Sequence, residues 1–173
     1  VTAGAIRRVA ADDLAALARV IDGTGLFPSA LLDGMLSGYL TGAAPEDRWW
    51  TVDDGGPVAV AYAAPERFTD RTWNLLLLAV HPEHQGRGVG AALVRHVEQA
   101  VAAHDGRLLL IETSGLPAFA RTRAFYRANG YDEGARIRDF YSDGEDKVVF
   151  RKALAGTGVA PGVDTASSPA DDR

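Results

Sequence analysis

The sequence predicts an α/β (α+β) fold: a central mixed, mostly antiparallel sheet with one parallel pair and flanking helices. Three observations carry this. Asp53-Asp54-Gly55-Gly56-Pro57 is a hairpin turn signal between two apolar runs. The stretch from Trp73 to Glu112 reads as strand, glycine-rich connection, amphipathic helix and strand, a unit whose two strands run parallel. A further helix then precedes two runs joined by Ser142-Asp143-Gly144-Glu145-Asp146, a second hairpin.

Ala5–Val9 is a short strand candidate. Asp12 or Asp13 caps a helix to about Ile21, with Leu14, Leu17, Ala18 and Ile21 on one face. Gly23 and Gly25 end it, and Pro28 suits the first turn of the next helix. In that helix Leu32, Met35, Leu36, Tyr39 and Leu40 recur at helical spacing, mostly as core, with Phe27 and Met35 open to a pocket role. Trp49–Val52 and Val58–Ala63 flank the first hairpin turn and pair antiparallel. Leu75–Val80 is an unbroken apolar run of strand length. Val89, Leu93, Val97, Ala100 and Val101 form one helical face that Asp105-Gly106 stops, and Arg107–Glu112 is the next strand. Ala118–Ala128 is a helix capped by Asn129-Gly130; Glu133–Tyr141 and Lys147–Lys152 are the last strands. One domain is expected over residues 1–154. Residues 155–173 are rich in Gly, Pro, Ser, Thr and Asp and read as a disordered tail.

Composition excludes several function classes. There are no cysteines, which removes disulfides, thiolate metal sites and a cysteine nucleophile. The four histidines make no HxxxH or HExxH pair, so no metal is expected. The formal charge of −5 argues against a nucleic-acid surface. No stretch approaches the about 18 apolar residues of a membrane span. The start of the sequence lacks a signal-peptide core, and a cytoplasmic location is the expectation.

Gly86-Arg87-Gly88-Val89-Gly90 opens the central helix. The first amides of a helix have no internal partners, and the helix dipole favours negative charge there, so a phosphate-bearing ligand is the natural guest. Gly86-x-Gly88-x-x-Ala91 fits the dinucleotide fingerprint on paper. Its context does not: five polar residues separate strand from glycine, and antiparallel strands come first. No GK[ST] follows, so a P-loop fails. Glycines that merely permit a tight turn are the remaining plain reading.

The longer string Val80-His81-Pro82-Glu83-His84-Gln85-Gly86-Arg87-Gly88-Val89-Gly90 resembles the acyl-CoA motif Q/R-x-x-G-x-G/A of the GNAT N-acetyltransferases. Gln85, Gly88 and Gly90 match it by position. Downstream, Ala124-Phe125-Tyr126-Arg127-Ala128-Asn129-Gly130-Tyr131 is similar to that family's A-x-x-F-Y-x-x-x-G-F/Y segment. The resemblance covers about residues 5–154. It implies the GNAT fold, whose central parallel pair splays, and acetyl-CoA as co-substrate. It places the CoA pyrophosphate on the Gln85–Ala91 amides, including those of Gly86, Arg87 and Val89, and the pantetheine arm along Leu78, Ala79 and Val80.

The resemblance also implies that Tyr126 protonates the departing thiolate. The motif strand carries no acid, so Glu112, at the end of the neighbouring strand, is the candidate base; its alternatives are a fixed acceptor or substrate ligand, a solvated strand end, or a water chain. Phe27, Trp73 and Tyr141 are candidates for the acceptor pocket, and the acids Asp139 and Asp143–Asp146 for recognising a cationic amine. The implied activity is direct acetyl transfer in a ternary complex to a primary amine of a small molecule or peptide. The competing readings are transfer of a longer acyl group and an acyl-CoA sensor without turnover. A homodimer is compatible with the family.

Overall fold

A computed structural model describes residues 4–154; the expected C-terminal tail lies outside the described residues. Seven strands form one sheet in the order β1-β2-β3-β4-β5-β7-β6. These are β1 (Ala5–Arg8), β2 (Arg48–Asp53), β3 (Pro57–Pro65), β4 (Thr72–Val80), β5 (Leu108–Ser114), β6 (Asp132–Ser142) and β7 (Glu145–Ala153). Four α-helices flank them: α1 (Leu14–Thr24), α2 (Leu32–Thr41), α3 (Val89–Ala103) and α4 (Ala120–Ala128). Among these strand pairs only β4 and β5 run parallel. No helix of the described residues is long and apolar enough to cross a membrane.

The sequence places α1 correctly and ends it early. Gly23 stays inside the helix, and Gly25, at φ 65°, provides the left-handed cap. A Cβ on Gly23 would stand 3.0 Å from Pro82 Cδ, so glycine there lets α1 approach the turn after β4. Asp13 anchors the start of the helix in another way than a simple cap. Its carboxylate accepts from Arg7 at 2.7 and 2.8 Å and from the Ala10 amide at 2.8 Å.

The sheet separates two cores. Trp50, Val52, Ala61, Leu93, Val97 and Phe150 pack on the α3 side, and Leu17, Ile21, Leu32, Leu36, Trp49 and Val60 on the α1/α2 side. Strand β4 changes sides midway. Tyr62 pairs with Leu77 and Ala63 with Leu75, which leaves Leu76 unpaired as a bulge, 51% exposed. An extra residue inverts the alternation beyond it. Trp73 and Leu75 therefore face the α3 core, Leu77 and Ala79 face the opposite core, and Leu78 and Val80 return to the α3 side.

The parallel ladder between β4 and β5 runs only from Thr72–Leu108 to Leu75–Ile111. Beyond it β5 continues to pair with β7, through Glu112–Val149 and Ser114–Lys147. The two central strands thus part at the bulge, as the family resemblance implies. The final hairpin forms as expected, with the later strand β7 inserted against β5 and β6 at the sheet edge.

Candidate active site

Two cavities meet where β4 and β5 separate. The first, about 540 Å³, lies between the β4 end, the glycine-rich loop and α4. Gly86 (φ 73°) and Gly88 (φ 82°) hold left-handed backbone that other residues rarely adopt, and Gly88 caps α3 without a side chain. The first helical hydrogen bond runs from the Ala92 amide to the Gly88 carbonyl at 2.9 Å. The amides of Val89, Gly90 and Ala91 precede it and belong to the part of a helix that lacks internal partners. The loop is braced from behind: the Gln85 side-chain amide donates to the Val80 carbonyl at 3.0 Å. Leu78, Val80, Gln85, Gly86, Gly88 and Gly90 line this cleft, as does Ala91.

Three residues of the expected cofactor set contribute differently. Val89 is buried in the α3 core and Ala79 in the opposite core, so only their backbones are available to a ligand in the cleft. Arg87 is exposed beside the loop and is not part of the cleft wall. The sequence reading missed the far wall, formed by Ala118, Arg121, Thr122, Phe125 and Asn129 of α4 and its ends. The signal was present: with Tyr126, positions 118, 122, 125, 126 and 129 form one helical face.

The second cavity, about 390 Å³, lies on the other side of Tyr126. Leu78, Thr122 and Tyr126 line both. Phe27 and Tyr141, both expected here, do line it, together with Met35, Phe119 and the bulged Leu76. Trp73 does not. It sits at the start of β4, 7% exposed, in the α3 core, with its ring edge-on to His104 at 6.4 Å. An aromatic residue upstream of the bulge is carried to the core face, which corrects the expectation of a pocket role.

Tyr126 is 6% exposed and packs against Tyr131 at 6.1 Å and Phe150 at 5.7 Å between ring centroids. Burial pushes its hydroxyl well above the usual tyrosine value, so it stays protonated at neutral pH. Glu112 also lines the second cavity, with its side chain 32% exposed. Its Oε2 lies 2.6 Å from Lys147 Nζ, a contact the sequence reading did not foresee. Burial, with Glu112 and Glu145 adding to it, pushes the Tyr141 hydroxyl up. Among the described residues no group of His, Asp and Glu is placed to hold a metal ion.

This arrangement can hold a long phosphate-bearing ligand in the first cavity and present its far end to a second molecule across Tyr126. Residues 45–133, about half of the chain, match the acetyltransferase (GNAT) domain family. A protein from Desulfovibrio desulfuricans assigned to the same family as an acetyltransferase is 33% identical. That match covers 87% of this chain and 99% of the other, with a TM-score of 0.82.

The chain belongs to the GNAT acetyltransferase family.

Other solved structures agree in fold at lower identity. The ribosomal-protein-S18-alanine N-acetyltransferase of Escherichia coli is 20% identical, covering 90% of this chain and 98% of that one, with a TM-score of 0.70. A mycothiol acetyltransferase of Frankia casuarinae is 49% identical over 43 residues, a match spanning 25% of this chain and 12% of that protein. The chain thus corresponds to a small part of that relative's length. The family match spans the glycine loop, β4, β5 and the helix that carries Tyr126.

Proposed function

We propose that the protein transfers the acetyl group of acetyl-CoA directly to a primary amine, with both substrates bound together. The observation that carries this is the shared wall: Tyr126, with Leu78 and Thr122, faces both the phosphate-type cleft and the second cavity. The residues present fit CoA. Left-handed glycines and uncapped helix amides suit its phosphates, and Arg121 adds a cation to the cleft wall. Beyond Leu75 the β4 edge that faced β5 has no strand partner, which suits an extended pantetheine arm.

Acetyl-CoA supplies the activated acyl carbon. An amine attacks only when neutral, whereas an ordinary alkylamine with a pKa of about 10.4 is mostly protonated at pH 7. Glu112 lines the acceptor cavity and has one oxygen committed to Lys147, so its other oxygen is the candidate proton acceptor, directly or through water. As the new N–C bond forms, the C–S bond breaks and the amine loses a proton toward Glu112. Tyr126 then gives its hydroxyl proton to the leaving sulfur and is reprotonated from solvent. No cysteine exists to form an acyl-enzyme.

Release of free thiol, measured with acetyl-CoA against a library of small amines and amine-ended peptides, tests the reading. Amine-dependent thiol release with stoichiometric N-acetyl product is expected. CoA binding without turnover on any amine would instead indicate a sensor. Faster release from a longer acyl-CoA would reassign the acyl group.

A further inference from the structure

The second cavity has a definite chemical character. One part of its wall is apolar, with Phe27, Met35, Leu76, Leu77 and Phe119, and another carries the hydroxyls of Thr113, Ser114, Thr122, Tyr126 and Tyr141. Two carboxylates, Glu112 and Glu145, are the charged groups in its lining, and no cation lines it. The nearest ammonium, Lys147, is engaged by Glu112 at 2.6 Å and lies over the Phe140 ring at 3.7 Å.

Three acids of the β6–β7 hairpin divide into two groups. Asp139 accepts from the Gly144 amide at 2.7 Å. Asp146 accepts from the Asp139 amide at 3.2 Å and from Arg136 at 3.1 Å. Both are occupied in holding the turn. Glu145 is different: it lines the cavity, accepts from the Ser142 hydroxyl at 3.3 Å, and has no cation within salt-bridge distance among the described residues.

From these features, and resting on the transferase reading above, we infer that the acceptor is a small monoamine with an apolar body and no carboxylate beside the amino group, and that Glu145 receives its ammonium form. A free carboxylate in this cavity would meet two like charges and no available cation. The Phe27, Met35, Leu76 and Phe119 side chains offer an apolar body a contact face on one part of the wall. The cavity volume is near the lower end of small-ligand sites, which suits an amine of this kind better than a longer peptide.

The test compares kcat/KM for 2-phenylethylamine, phenylalanine, glucosamine and an alanine-ended peptide, each with acetyl-CoA. 2-Phenylethylamine should exceed each of the others by about tenfold or more, the phenyl ring and the missing carboxylate each contributing. Glu145→Gln should raise KM for 2-phenylethylamine by about tenfold and narrow its advantage over phenylalanine, while kcat changes little. Glu145→Asp should recover part of the affinity. CoA affinity, measured by calorimetry, reports that the variants remain folded.

Equal or better turnover of phenylalanine, glucosamine or the peptide would overturn the inference and leave the transferase reading standing. So would a Glu145→Gln enzyme with unchanged KM. Absence of turnover on every amine, with CoA still bound, would overturn both.

Discussion

Lys147 Nζ sits 2.6 Å from Glu112 Oε2, and the lysine side chain is only 12% exposed. The strand register explains the meeting. Lys147 pairs with Ser114 and Val149 with Glu112, so Glu112 and Lys147 are diagonal neighbours on one face of β5 and β7. The lysine is held from a second side by the Phe140 ring. Glu112 is therefore positioned by its partner strand rather than free at a strand end.

This pairing separates stability from catalysis at Glu112. Glu112→Gln should cost about 1–3 kcal/mol, because a largely buried ammonium loses its counter-charge. It should also lower kcat by about 10²-fold if Glu112 accepts the amine proton. Adding Lys147→Met removes the stranded charge, so the double variant should regain stability in urea unfolding and remain slow. Recovery of wild-type kcat in the double variant would make Glu112 an anchor for Lys147 and nothing more.

Tyr126→Phe keeps the ring packing with Tyr131 and Phe150 and removes the hydroxyl at the junction of the two cavities. Its kcat should fall by about 10²–10³-fold with little change in thermal midpoint. The wild-type alkaline limb should contain no step from Tyr126 below pH ~10, since burial holds this hydroxyl protonated beyond the ordinary tyrosine range. Undiminished turnover in the variant would assign Tyr126 to packing alone.

The glycine loop yields a graded series. A Cβ on Gly90 would lie 3.5 Å from Phe125 Cζ and Val80 Cγ2, which is ordinary contact, so Gly90→Ala should fold normally and bind CoA slightly less well. Gly90→Trp should fill the cleft and raise the CoA dissociation constant by about tenfold or more, read by calorimetry. Gly88→Ala meets no neighbour but must adopt φ 82°, costing about 1–2 kcal/mol of stability. Wild-type CoA affinity in Gly90→Trp would remove the phosphate-loop assignment.

Alkaline stability follows from three tyrosines. Burial, with the hydrogen bond to Asp47 at 2.9 Å, pushes Tyr62 up to about 12. Burial raises Tyr126, and burial together with Glu98 raises Tyr131. Each value is raised on folding, so their contribution is complete below the unfolded value of about 10 and is lost as pH rises above it. The urea midpoint should hold between pH 7 and ~9.5 and fall beyond pH ~10. Tyr62→Phe should soften that fall; a midpoint indifferent to pH through the alkaline range would contradict the burial of these hydroxyls.

Much of this protein was readable before any coordinates. The Asp53–Pro57 turn, the glycines ahead of α3 and the spacing of Val89, Leu93 and Val97 are local signals. They act through φ preferences and side-chain periods of two or 3.6 residues, which the chain expresses wherever the segment lies. The glycine turn ahead of α3 was legible for that reason, whereas Tyr126 was singled out by the resemblance of Ala124–Tyr131 to the family's segment.

What tertiary structure decided depends on which segments meet. The bulge at Leu76 arises in pairing with β3, and its inversion of sides carries Trp73 into the core and Leu78 and Val80 to the cleft. The far cleft wall exists because α4 packs opposite the loop. The Glu112–Lys147 pair exists because β7, not β6, lies beside β5, a choice of strand order that neither local propensity nor the turn sequence encodes. Local sequence chemistry thus specified the glycine turn and the helix that follows it, and long-range register specified which charges line the second cavity.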